Sequence, residues 1–122
     1  MSKAASPFRV RARARFHSGR GGASLLVYVT AHPQYPTHAS LQPEGLLHVH
    51  LQTGCTGARL EQVLVEYLAR HLKCAPQDIL VAAGQGQPGK IMVVYDITPA
   101  ELERRLDGWL TLEREGLLHA QR

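Results

Sequence analysis

Apolar and polar residues along this chain alternate, then recur every three or four positions, then alternate again, and each change of period marks an element. From Phe8 to Phe16 the alternation is strict, with Val10, Ala12 and Ala14 on one side and Arg9, Arg11, Arg13 and Arg15 on the other. A strand with one packed face and one wet face has this pattern, and so does a basic arm with no fixed structure. His17 to Ala23 is turn-rich and can close a hairpin onto Leu25 to Thr30, whose Leu-Leu-Val-Tyr-Val reads as a buried strand. Ala31 to Glu44 carries Pro33, Pro36 and Pro43, and a loop without regular structure is expected there. In Leu46 to Gln52, Leu47, Val49 and Leu51 alternate with His48 and His50, which predicts a strand and a natural partner for the Leu25 strand.

After Gly57 the period becomes helical. Leu60, Val63, Leu64, Tyr67, Leu68 and Leu72 form one stripe, with Glu61, Gln62, Glu66 and Arg70 opposite, so a helix is predicted to about Lys73. Pro76 prevents its continuation, and Ile79 to Ala83 and Ile91 to Asp96 read as strands on either side of a glycine-rich loop. Thr98-Pro99-Ala100-Glu101 is a capping box with proline at the first helical position, and Leu102, Leu106, Trp109 and Leu110 make the stripe of a second helix to about Glu113, with a frayed tail from Gly116. The expected architecture is α+β: a two-layer sandwich of a mixed sheet with two helices. The sheet has four strands, or five if the N-terminal arm adds one. Residues 1–22 form the arm and residues 23–122 a single domain.

The glycine-rich loop holds the most suggestive chemistry. Gly84 to Lys90 fits G-x-x-x-x-G-K, the spacing of a phosphate-cradling loop. That loop needs a Ser or Thr hydroxyl next, and a helix whose N-terminal amides face the phosphates. Here Ile91, Met92, Val93, Val94 and Tyr95 follow and favour a strand, so the loop joins two strands. Lys90 beside Gly84, Gly86 and Gly89 is either an anion contact or a solvated lysine on a hairpin. Arg59, near the start of the first helix, would add a second cation to an anion site.

The 122 residues suffice for one domain burying about two thirds of its unfolded surface. No apolar run approaches the roughly 20 residues that span a bilayer, so no membrane insertion is expected. Cys55 and Cys74 lack the paired spacing of a zinc ribbon, and no secretory signal stands ahead of them, which fits a reducing, cytoplasmic setting. Charge is uneven: Lys3, Arg9, Arg11, Arg13, Arg15 and Arg20 precede residue 23 with no acidic residue among them, and the remainder is slightly acidic. A basic arm on a near-neutral body is one footprint of nucleic-acid binding. It is also the composition of an organellar transit peptide, or of a merely solubilising end.

The order of strand, proline-containing loop, strand, glycine-containing turn, helix, strand, Gly-x-x-x-x-x-Lys, strand and helix resembles the YggU-like family of small proteins of unknown function, from Leu25 to about Leu110. Val27, Val29 and Pro33 match the family's first strand and turn, Leu46 to Leu51 its second strand, and Leu64, Tyr67, Leu68 and Leu72 its helix core. Gly84 and Lys90 match its third-to-fourth strand connection. The resemblance implies a two-layer α/β sandwich with a mixed sheet. Where the family carries Pro-Pro and then Gly-Lys-Ala-Asn, this chain has Gly54-Cys55-Thr56-Gly57 and then Ala58-Arg59-Leu60-Glu61; ahead of Lys90 it has Gln87-Pro88-Gly89 where the family often has Ser-Arg. It reads as a diverged member.

Other chemistry has little support. His48 and His50 share a strand face near Cys55, but a zinc site needs three or four ligands and no further motif completes one. No nucleophile elbow or carboxylate pair is present; Glu61, Glu66, Glu101, Glu103 and Asp107 fall on helix faces that read as solvated. The tyrosines make no base-stacking platform. The expectation is a non-catalytic domain without cofactor or metal, contacting an RNA or DNA backbone through Arg9, Arg11, Arg13, Arg15 and Arg20, with Arg59 and Lys90. The alternatives are a protein partner docked on an edge strand or the Trp109 helix, and a small enzyme acting on a phosphorylated ligand through the glycine loop.

Overall fold

The computed structural model describes residues 12–17 and 19–120. Six strands, β1 (Arg13–His17), β2 (Arg20–Ala31), β3 (His38–Leu41), β4 (Leu47–Leu51), β5 (Ile79–Ala83) and β6 (Gly89–Tyr95), form one mixed sheet. Two helices, α1 (Gly57–Leu72) and α2 (Pro99–Ala120), lie against it, and a short 3-10 turn over Pro76–Asp78 leads from α1 into β5. This is the expected two-layer α+β sandwich.

β2 is the central strand, long enough to take three neighbours. β6 pairs along one side, from Gly22 to Tyr28. On the other side β1 pairs antiparallel with Arg20 to Ser24, and β4 pairs parallel with Val27 to Ala31. The order across the sheet is β3-β4-β2-β6-β5. Pleating sends alternate residues to opposite faces. Ala23, Leu25, Val27 and Val29 of β2, Leu47, Val49 and Leu51 of β4, and Met92 and Val94 of β6 face the helices and are buried there against Leu64, Leu68, Leu72, Leu102, Leu106 and Trp109. Among the described residues no helix covers the other face, where Leu26 is 53% and Tyr28 40% exposed while Ser24 and Val93 are buried. Trp109 is only 6% exposed, so it is a core residue and not a docking residue on the outside of α2.

Two expectations are corrected, and of the two readings of the basic arm the edge strand is the one found over residues 13–17. The proline-containing segment holds β3, because Pro33, Pro36 and Pro43 all flank His38–Leu41 and none removes a donor from its ladder with β4. α2 continues through Gly116 to Ala120, since one glycine inside a helix costs only ~1 kcal/mol relative to alanine and does not by itself stop it. The basic arm, where described, is an edge strand: Arg13 pairs with Ser24 and Arg15 with Gly22, with a turn at Gly19. Its apolar side is covered only at Ala12, whose N–H donates to Glu103 Oε2 at 2.8 Å; Ala14 and Phe16 are exposed, because the helices do not extend over that end of the hairpin. Arg9 and Arg11 lie outside the described residues.

The second helix starts as its capping sequence requires. Thr98 Oγ1 accepts from the Glu101 N–H at 3.1 Å, behind Pro99 at the first helical position. The Glu101 carboxylate binds Arg104 and Arg105.

Where β2 runs between β1 and β6, Gly22 leaves no room for a side chain: a Cβ there would overlap the Val94 carbonyl oxygen. Gly22→Ala is therefore expected to destabilise the fold by about 2 kcal/mol, read as a lower urea midpoint, although its backbone angles would suit alanine. An unchanged midpoint would mean that the two strands separate freely there.

Candidate functional site

The Gly84 to Lys90 loop does cradle an anion, and the anion is the protein's own. Lys90 is the second residue of β6, on the face that packs against the helices, opposite Val27. Its side chain is 3% exposed, and Nζ donates to Glu61 Oε2 at 2.9 Å, to Gln87 O at 2.6 Å and to Gly84 O at 3.2 Å. An ammonium has three N–H donors, so none is left for an outside ligand. Gly86 N–H donates to the same Glu61 oxygen at 2.9 Å, while Gln87 N–H closes the turn on Gly84 O. Gly84 and Gly86, at φ +86° and +76°, hold the left-handed backbone that aims these amides. The loop is also tied to the sheet, with Val29 N–H on Pro88 O at 2.9 Å.

Lys90 is thus neither solvated nor an external anion contact. Burial pushes the Glu61 carboxyl up, but the hydrogen bonds from Lys90 and Gly86, with the charge of Lys90, outweigh this and hold it below its ordinary value. Glu61 reads from sequence as a solvated residue on the polar side of α1; the fold places it over the loop at 18% side-chain exposure. A cleft of about 270 Å³ remains beside the pair, between the N-terminus of α1 and Gln87 and Pro88. Arg59 is exposed and does not line it, so the chain does not bring Arg59 and Lys90 into one site. Gly89 is exposed at the start of β6.

The N-terminal cations divide into two kinds. Arg20 is exposed but tied to the protein's own carboxylates: its guanidinium bridges Asp96 at 2.5 Å and Asp78 at 3.2 Å and lies 4.3 Å over the Tyr95 ring. These carboxylates raise its pKa, Asp96 foremost. Arg13 and Arg15 stand on the helix-free side of β1, and no ion pair among the described residues engages either one.

A ring cluster occupies the far end of that helix-free face. Thr30 Oγ1 is 3.0 Å from His48 Nε2 and 2.8 Å from His50 Nδ1. The His38 ring stacks on His50 at 5.4 Å, and Tyr28 meets His48 edge-on at 5.8 Å. The alternation of His48 and His50 pointed to a shared face, but Thr30 and His38 join them only through the strand register. Among the described residues no group of three or more His, Cys, Asp or Glu is placed to hold a metal ion. Burial, then the neighbouring charges of His38 and His50, lowers the pKa of His48. Burial likewise lowers that of His71, with Arg70 adding to the shift and Glu113 opposing it.

Two outcomes follow. Removing one member of the Lys90–Glu61 pair leaves its partner partly buried and alone. Lys90→Met should cost about 3 kcal/mol in urea denaturation, and Lys90→Met/Glu61→Leu should recover most of that, whereas additive losses would show that the two residues are not coupled. Because His48 and His71 have lowered pKa values in the fold, the native state resists their protonation. Stability is then fully present above the ordinary histidine value of 6.5 and falls as the pH drops below it. His48→Gln should lessen the fall in melting temperature between neutral and mildly acid buffer; an identical fall in the variant would exclude His48 as its source.

Neither the protein-family models nor the curated proteins searched contain a match to this chain.

Proposed function

We propose that this chain is a diverged YggU-like domain, non-catalytic and working in a reducing, cytoplasmic setting, that holds the backbone of RNA or DNA by charge without reading its sequence. The reading is carried by one observation: β1 sets Arg13 and Arg15 side by side on the helix-free face with no carboxylate paired to them among the described residues. Arginines fixed two apart on a strand lie roughly 7 Å from one another, close to the phosphate spacing along a strand of nucleic acid. The same face exposes Leu26 and Tyr28, which leaves room for a strand to lie along it. The enzyme alternative is left without support at the glycine loop, whose Lys90 and Gly86 N–H close on Glu61.

A protein partner is the second reading, favoured by the exposure of Leu26 and Tyr28 on an uncovered sheet face.

Binding of labelled RNA and DNA at two salt concentrations tests the first reading. The full chain should bind both with little preference, and affinity should fall steeply with salt. Arg13→Glu/Arg15→Glu should weaken binding at least about tenfold and flatten the salt slope by roughly 1 to 2. Charge reversal suits this test better than truncation at Ala23, because β1 and the start of β2 belong to the sheet. No binding by the full chain at low salt would eliminate the nucleic-acid reading, and unaltered binding by the double variant would eliminate β1 as its site.

A further inference from the structure

A second cationic feature lies on the helix layer, away from β1 and from the glycine loop. Between the last turn of α1 and the first half of α2 is a cleft of about 330 Å³, walled by Arg70, His71 and Lys73 on one side and Arg104 and Arg105 on the other, with Trp109 at its base. No carboxylate lines it. Glu101 binds Arg104 and Arg105, and Arg105 also donates to the carbonyls of Leu72 and Lys73, so Arg105 closes the end of α1 and has little charge to offer outward. Glu66 and Glu113 line a separate hollow on the other side of Arg70 and His71. Arg70 and Lys73 are exposed and have no ion-pair partner among the described residues, and the Arg104 side chain is 76% exposed.

Lys73 adds an independent observation. It is the C-cap of α1, in the left-handed conformation at φ 59°, with its N–H on Ala69 O. Glycine is the residue such a position favours, since a Cβ there crowds the following carbonyl. The chain keeps a lysine at this strained position, and the lysine puts its charge at the edge of the cleft.

We propose that this cleft is a phosphate site, in which Arg70, Lys73 and Arg104 hold a backbone phosphate of a nucleic-acid strand. The proposal rests on the polyanion reading above and gives it a second point of contact. Two arginines and a lysine converging on one opening suit a phosphate, which accepts forked hydrogen bonds from guanidinium groups. Base stacking is not part of it: the Trp109 ring is buried, with His71 stacked on it at 4.7 Å and Tyr67 against it edge-on, so no ring face is left for a base.

Trp109 is the sole tryptophan and lines the cleft, so its fluorescence reports occupancy directly. A short single-stranded RNA should change Trp109 emission saturably, and tripolyphosphate should compete. Lys73→Gly should melt no lower than the parent chain yet bind about tenfold more weakly, the loss of one charge-assisted hydrogen bond. Arg70→Ser should weaken binding similarly. If the RNA binds with undiminished affinity to Lys73→Gly and Arg70→Ser and leaves Trp109 emission unchanged, the cleft proposal is overturned while the polyanion reading stands. If tripolyphosphate alone shifts Trp109 emission and RNA does not bind, the cleft stands as a site for free phosphate and its assignment to nucleic acid is overturned with that reading.

Discussion

The ion pair between Lys90 and Glu61 ties the first helix to the hairpin of β5 and β6. Glu61 belongs to the second turn of α1, Lys90 to the first residues of β6, and the loop between β5 and β6 folds back so that two of its carbonyls and one of its amides complete the pair. A lysine at 3% exposure has lost most of its hydration, which is tolerable only because all three of its donors find oxygen. That requirement fixes the position of α1 over β2 and β6, and it fixes the hairpin's shape as well. A phosphate loop and this loop answer the same physical demand, amides and a lysine converging on negative charge; here a carboxylate from the neighbouring helix meets it.

With the helices held on one face, the other face of the sheet and the outer surface of the helices remain for contact. The charges differ in what they are free to do. Arg20 and Arg105 each connect elements, the first β2 to the segments entering β5 and leaving β6, the second α2 to the end of α1. Arg13, Arg15, Arg70 and Lys73 connect nothing among the described residues, and they fall on two separate surfaces. A surface cation without an internal partner contributes little to stability.

The acidic residues show how much register and packing add to periodicity. Glu61, Glu101 and Glu103 all occupy polar positions of their helices, and all three are engaged: with Lys90, with Arg104 and Arg105, and with the Ala12 N–H. Their helical positions were legible, and their partners were not, because each but Glu101 reaches a group at least 29 residues away. Trp109 was legible as part of an apolar stripe, but its burial between His71 and Tyr67 depends on how α2 crosses α1. The cleft beside it has no signature in the chain, since its cations come from two helices and no spacing relates them.

By itself the sequence determined the order of β2, β4, β5, β6 and the two helices, the faces of β4 and α1, the capped start of α2 and the hairpin nature of the glycine loop. These follow from side-chain period, from turn chemistry and from the β-branched run after Lys90, all of which act over a few residues. Only the tertiary structure decided that β3 exists, that Lys90 faces inward to Glu61, that Arg20 is tied down while Arg13 and Arg15 are not, and that Arg70, Lys73 and Arg104 share an opening. Each of those outcomes depends on which distant group supplies a hydrogen bond or a counter-charge, and that is set by the register of the sheet and the packing of the helices on it.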